Sequence, residues 1–287
     1  MDAYPMRWIV ALPAEADPVI ERFALQPDRT RSRGRLRVYQ SVDDRVRLGV
    51  SGIGTTNAAA ATAWLAAHES RESPKLWINF GIAGGEGTRG TVRRASRVID
   101  DATGRSWYPP AVWARQADLP ETTVRSVTGP RTDYATDGEL FEMEAAGFCP
   151  TATRFASSEL VQVVKVVSDG PDGRIEDIDA RLVQRLCGEA LQTMMPWLEA
   201  MSPLIAEEGA RLADPPGFAE WLERFRFTET QRHQLRRLLE QGESRSPGDS
   251  PFRGWLQEPW ADASALLKGM RERLWCDRNP GSLGKGM

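Results

Sequence analysis

Over roughly the first two hundred residues, short apolar runs alternate with small-residue or amphipathic stretches, and the alternation predicts strands and helices in turn. Trp8 to Leu12 reads as a buried first strand. Leu36 to Gln40 and Val46 to Val50 read as two more strands around an Asp-rich turn. Ser51-Gly52-Ile53-Gly54-Thr55-Thr56-Asn57 then opens an alanine-rich segment running to His68, a helix by propensity. Leu76 to Gly81 is the next strand and closes in Gly81-Ile82-Ala83-Gly84-Gly85, with a further short strand at Ser96 to Ile99. Gly104 to Asp137 is rich in turn formers and reads as long loops with one strand near Thr123 to Val127. The β-branched run Val163-Val164-Lys165-Val166-Val167 stops abruptly at Ser168-Asp169-Gly170. Strands alternating with helices in this way predict a three-layer α/β/α fold around a central mixed sheet.

The pattern changes after Asp169. Ile175 to about Ala213 has apolar residues at helical spacing, and Asp214-Pro215-Pro216 breaks it. Beyond that the chain is rich in Trp, Arg, Glu and Pro and carries no strand pattern. Thr228-Glu229-Thr230-Gln231 is a capping box opening a helix with Leu235, Leu238 and Leu239 on one face. Gly242 to Gly254 reads as a loop and Ala261 to Trp275 as a last amphipathic helix. The expected division is a domain over residues 1–205 and a helical C-terminal appendage over 206–287.

Composition narrows the chemistry. A hydrophobic content of 41% and a net charge of −3 over 287 residues describe a soluble globular chain with no electrostatic reason to bind nucleic acid. No apolar run approaches a membrane span, and Met1 to Arg7 lacks the layout of a signal peptide. Cys149, Cys187 and Cys276 are widely spaced, which argues against zinc or a disulfide framework and fits a reducing, cytoplasmic compartment. With only His68 and His233 available, acid–base work falls to carboxylates, and no cofactor is called for.

The most informative carboxylates lie in Phe141-Glu142-Met143-Glu144 and in Ser168-Asp169. A thioether beside acids suits a sugar, because sulfur packs on the apolar ring face while the acids take hydroxyl protons. An acid at the carboxyl end of a buried strand can protonate a leaving group. Each has a blander reading. Glu15 can be a helix N-terminal charge, Met143 core, and Asp169 a turn cap. Glu142 is expected to point away from Glu144 and into solvent, so it ranks below Glu144. Gly52-x-Gly54 has Asn57 in place of a third glycine and reads as a tight strand-to-helix turn rather than a dinucleotide fingerprint.

Taken in order, Ala11-Leu12-Pro13-Ala14-Glu15, Ser51-Gly52-Ile53-Gly54, Ile78-Asn79-Phe80-Gly81-Ile82-Ala83-Gly84-Gly85, Glu142-Met143-Glu144 and Ser168-Asp169 resemble the nucleoside phosphorylase and nucleosidase superfamily. Within it the sequence is most similar to the methylthioadenosine/S-adenosylhomocysteine nucleosidases. The resemblance covers most of residues 7 to about 195 and leaves the C-terminal appendage unexplained. It implies a phosphorylase/hydrolase-like fold and cleavage of the glycosidic bond of a purine nucleoside, with a 5′-substituted adenosine as the substrate and a homodimer or larger homo-oligomer as the assembly. It further implies that Glu15 orients the attacking water, Met143 and Glu144 hold the ribose, and Asp169 protonates the departing purine. Phe141, Glu142, Ser168, Ile53, Ile82, Ala83, Gly84 and Tyr108 would complete the substrate site. Trp107 and Tyr134 are further aromatic candidates for stacking on the base.

Phosphorolysis would need Arg, hydroxyls or backbone donors for a dianion. Ile82 stands where the resemblance would place a phosphate-binding hydroxyl, and Glu15 would repel phosphate, so hydrolysis is the expected reaction. A phosphate-dependent phosphorylase, fed by Arg31, Arg33, Arg35 or Arg45 from a neighbouring subunit, is the alternative. A nucleoside-binding or interaction protein without catalysis is the third reading.

Overall fold

The computed structural model describes residues 5–69, 74–110, 119–131, 138–170 and 177–278, with the side chains of 276–278 left aside. Tyr134 and the side chain of Cys276 therefore lie outside the described residues, as does the start of the helix expected from Ile175. The chain forms two compact units, Met1–Arg211 and Leu212–Met287.

In the first unit the elements follow the order β1 (Met6–Val10), α1 (Pro13–Arg22), β2 (Gln26–Pro27), β3 (Arg37–Gln40), β4 (Val46–Val50), α2 (Thr55–Ala66), β5 (Leu76–Gly85) and β6 (Val92–Asp100). They continue as β7 (Ser106–Trp107), β8 (Glu121–Ser126), β9 (Leu140–Glu142), α3 (Ala145–Ala152), β10 (Val161–Asp169), α4 (Ala180–Ala200) and α5 (Ser202–Leu212). Among the described residues the strands make one ten-stranded mixed sheet. β1 lies between β4 and β5, parallel to both, which is why every one of its residues is buried. β5 also pairs with β10 and, at its far end, with β9. Because β10 pairs with β6, β6 with β8 and β8 with β9, these strands close on themselves beyond β5.

Helices cover both faces, as the α/β/α expectation required. On one face α1 and α4 pack over Trp8, Val10, Leu48, Phe80, Val164 and Val166, with Trp8 edge-on to Phe80 at 5.7 Å. α4 begins at an Asp179 cap, which accepts from the Leu182 amide at 2.7 Å. Its buried Val183, Leu186, Cys187, Ala190, Leu191 and Met194 form the predicted stripe. On the other face α2 and α3 pack over Ile9, Val163 and Val167 through Ala58, Ala61, Ala145 and Phe148. Small residues let these two helices touch: a Cβ on Gly147 would run into the Thr55 carbonyl.

Some boundaries moved. The glycine run after Phe80 does not end its strand, because β5 continues to Gly85 and bends into the closure with β9. α5 stays with the first unit because Ile205 is buried in the core under α4. The second unit holds α6 (Phe218–Arg224), α7 (Glu229–Arg245) and α8 (Ala263–Arg278) around Trp221, Leu235, Leu239, Leu266 and Met270. The Thr228 box caps α7, with Gln231 N to Thr228 Oγ1 at 3.3 Å and Thr228 N to Gln231 Oε1 at 3.0 Å. α7 runs past Gly242, where the loop was expected, because that glycine lets Pro251 and Phe252 pack against the helix, within 3.1 Å of where a Cβ would lie. Among the described residues no helix is long and apolar enough to cross a membrane.

At the end of the sheet where β1 starts, Arg7 and Arg47 are register partners on adjacent strands and both are buried. Glu69 holds them together, 2.5 Å from Arg7 Nε and 2.7 Å from Arg47 Nη1, with Lys75 at 3.2 Å. Burial opposes the charge on Glu69, but hydrogen bonding from Arg7 and the fields of Arg7, Arg47 and Lys75 outweigh it and hold this carboxyl below its ordinary value. Glu69 therefore stabilises the fold above the ordinary carboxyl pKa, and that contribution is lost as pH falls through the depressed value. Glu69→Ala would leave the cations unpaired and is expected to cost about 3 kcal/mol in urea unfolding at pH 7, with a smaller difference in acid. A loss near zero at pH 7 would contradict this role.

Candidate active site

One cleft, of about 300 Å³, opens at the carboxyl ends of β1, β5 and β10. It is lined by Glu15, Ile53, Ile82, Ala83, Gly84, Phe141, Glu142, Met143, Glu144, Ser168 and Asp169, so every one of these predicted residues meets in it. Tyr108 does not. It is 66% exposed, with Arg97 5.8 Å from its ring centre, and is not part of the cleft wall. Its surface position follows from β7 being a two-residue edge strand paired only to β6 among the described residues.

Glu15 sits in the first turn of α1 and folds back onto the strand ends. Its Oε2 accepts from the amides of Ala11 and Leu12 at 2.9 Å each, and Oε1 accepts from Ile82 at 3.0 Å. The space it fills exists because residue 81 is glycine, since a Cβ there would run into Oε1. Burial pushes the Glu15 carboxyl up, against the opposing field of Lys165 and the three amides. The helix-terminus reading and the cleft reading of Glu15 are both geometrically true.

Glu144 stands just before α3, with Oε1 accepting from the Gly54 amide at 2.9 Å. That bond explains the Ser51-Gly52-Ile53-Gly54 turn: its last amide points at an acid ninety positions on. Burial, then the neighbouring Glu142, raise the Glu144 carboxyl to about 7, partly countered by Lys165. Asp169 ends β10, buried, with Ser168 Oγ 2.5 Å from its Oδ1.

Glu142 corrects the expectation that it points away from Glu144: positions two apart in an extended stretch share a face, and both residues line the cleft. It is buried rather than solvated, 2.7 Å from Lys165 Nζ, and it accepts from Ser126 and from the amides of Glu144 and Ala145. Its far face is not solvent because β9 is paired on both edges, to β5 and β8, inside the closed part of the sheet. Its oxygens are thus committed to α3 and the lysine. Lys165 is the residue sequence reasoning missed. Burial acts to lower its ammonium, but Glu142, Glu144 and Glu15 outweigh that and raise it, so it stays charged among three acids. A charged residue inside a run of valines was the available signal. Arg131 was missed as well: it lines the cleft with its guanidinium 5.3 Å from the Phe141 ring centre. Cys149 and Cys187 are buried, and burial raises both thiols, as packing residues require. Among the described residues no group of His, Cys, Asp or Glu is arranged to hold a metal.

The architecture has known counterparts. The fold is that of the methylthioadenosine/S-adenosylhomocysteine nucleosidases. A 5′-methylthioadenosine nucleosidase from Arabidopsis thaliana superposes with a TM-score of 0.56 at 18% identity, over 71% of this chain and 97% of that one. The Neisseria meningitidis nucleosidase in complex with methylthio-immucillin-A gives 0.52 at 21%, over 67% and 98%. A Helicobacter pylori nucleosidase mutant with 5′-methylthioadenosine in its active site gives 0.55 at 12%, over 69% and 99%. No protein-family model and no curated sequence matches the chain.

The raised Glu144 carboxyl has a signed consequence. Between its ordinary value, near 4.5, and about 7 the folded state binds more protons than the unfolded one, so its contribution is most favourable below that window and is lost as pH rises through 7. Wild type should therefore lose stability relative to Glu144→Gln as urea midpoints are followed from pH 5 to 8. A constant difference across that range would refute the perturbation.

Proposed function

We propose that the chain is an N-ribosyl hydrolase acting on a 5′-substituted purine nucleoside. The convergence of Glu15, Glu144 and Asp169 on one cleft carries this reading. Breaking an N-glycosidic bond builds cationic character on the sugar and negative charge on the base. In the proposed division of labour, Glu144 accepts the ribose hydroxyl hydrogens while Met143 packs on the ring, Glu15 orients water toward the anomeric carbon, and Asp169 donates to the departing base. Lys165 offsets the charge of Glu15, Glu142 and Glu144. Leu12, Ile53, Val127 and Ile178 give the wall an apolar stretch, which suits an uncharged 5′ group such as the methylthio group of the ligand in the Helicobacter enzyme. The 5′-substituted adenosines are accordingly the reference substrates.

Water is favoured over phosphate as nucleophile on one further observation. The amides of Ala11, Leu12 and Ile82, which could cradle an anion, already serve the Glu15 carboxylate. Arg31, a candidate for phosphate from a neighbouring subunit, is bonded to Asp28 within its own chain at 2.7 Å.

The test is a panel of purine nucleosides assayed with and without phosphate, free base being read by chromatography. Base release without phosphate is expected. Absolute phosphate dependence would make the protein a phosphorylase, and binding without release would make it a non-catalytic receptor. Asp169→Asn should lower kcat by about 10²–10⁴-fold with an unchanged melting midpoint, because an amide cannot act as the acid. Near-normal turnover in that variant would remove Asp169 from the mechanism.

A further inference from the structure

We infer that Arg89 is a positioning residue for the reaction: it clamps the strand end from which Asp169 is presented to the departing base. The inference rests on the hydrolase reading and deepens it at the leaving-group end. Arg89 lies in the segment joining β5 to β6 and is not part of the cleft wall. Its Nε donates to the Ser168 carbonyl at 2.8 Å, on the peptide that leads into Asp169. The ladder between β10 and β5 slips at this point. Val167 pairs with Ala83 and Asp169 with Gly84, so Ser168 is an extra residue in its strand. Such a bulge re-aims a side chain but leaves the ladder locally broken. The β5–β6 segment is tied to the same strand end, with Gly90 N donating to the Val167 carbonyl at 2.8 Å and Val167 N to the Thr91 carbonyl at 3.0 Å. On the far side of Asp169, a Cβ on Gly170 would stand 2.6 Å from the Gly85 carbonyl, so the chain there has no room to move toward β5. Arg89 completes this enclosure at the bulge itself.

A general acid works within hydrogen-bond reach of the atom it protonates, about 2.6–3.2 Å. A displacement of about 1 Å can cost about 100-fold in rate. A carboxyl carried on a bulge has more backbone freedom to make that displacement than one in a regular ladder. Arg89 removes the freedom by holding a carbonyl, so it fixes Asp169 through the backbone. The protein bonds that hold Glu15 and Glu144 come from the amides of Ala11, Leu12, Ile82, Gly54 and Met143 and do not involve Arg89. Losing the clamp therefore falls on protonation of the base and spares the ribose contacts.

The experiment measures kcat and KM for adenine release from 5′-methylthioadenosine by the full-length protein. Wild type, Arg89→Ala, Arg89→Lys, Asp169→Asn and the double variant Arg89→Ala/Asp169→Asn are compared, with melting midpoints as the folding control. Arg89 is exposed, so truncating it should leave the midpoint unchanged. Arg89→Ala should lower kcat by roughly 10–100-fold with KM within about twofold of wild type, and Arg89→Lys, which keeps a donor, should recover most of the loss. In the Asp169→Asn background the same truncation should cost less than about twofold, because nothing is left for the clamp to position. A near-normal kcat in Arg89→Ala, or an equal loss in the two backgrounds, would overturn the assignment and leave the hydrolase reading standing. No base release from wild type would end both.

Discussion

The cleft depends on a charge balance that the interior can hold only in one arrangement. Three carboxylates, Glu15, Glu142 and Glu144, come together with a single buried ammonium, Lys165, among them. Removing acids from water is costly unless each finds hydrogen bonds or a counter-charge. Here backbone amides satisfy Glu15 and Glu142, while Glu144 has the amides of Gly54 and Met143 and a carboxyl raised to about 7. Lys165 supplies the charge that the amides cannot. The acid with fewest protein partners is the one proposed to meet the sugar, which is where unused acceptor capacity is needed.

The layered fold supplies the positions. Parallel strands β1, β5 and β10 deliver their carboxyl ends to the same side, and Glu15, Ile82 and Asp169 follow from those ends. Glycine at 81 and 84 and small residues between α2 and α3 keep that region free of bulk. At the opposite end of the sheet Glu69 does for Arg7 and Arg47 what Lys165 does for the acids, with the signs reversed.

Much of this was legible in the sequence, for identifiable reasons. Strands buried on both faces show as apolar runs, so β1, β4 and β10 could be placed within a few residues. Glu15, Met143, Glu144 and Asp169 could be nominated because each follows a strand end or precedes a small-residue helix. Glu142 was set apart from Glu144 although positions two apart in an extended stretch share a face, and a local pattern does not say which face is interior. Lys165 was hidden by the same strand pattern that made its neighbours clear. Tyr108 and Arg131 lie in a loop-rich region where nothing periodic fixes direction, so the aromatic was misplaced and the cation went unnoticed. The glycines at 84 and 85 read as a turn because pairing partners from β9 are invisible to a local pattern.

The contact between Gly147 and Thr55 sets which half of the cleft could be remodelled in descent. The acids' half is locked: Glu144 stands just before α3, its carboxylate accepts from the amide of Gly54 just before α2, and the two helices meet backbone to side-chain-free backbone. Any enlargement there would pry apart the helix pair and drag the Glu144 carboxylate with it. The rim formed by Val127, Pro130, Arg131 and Ile178 carries no such obligation. Substitution along that rim would reshape the cleft while leaving the acid cluster and its helix pair in place.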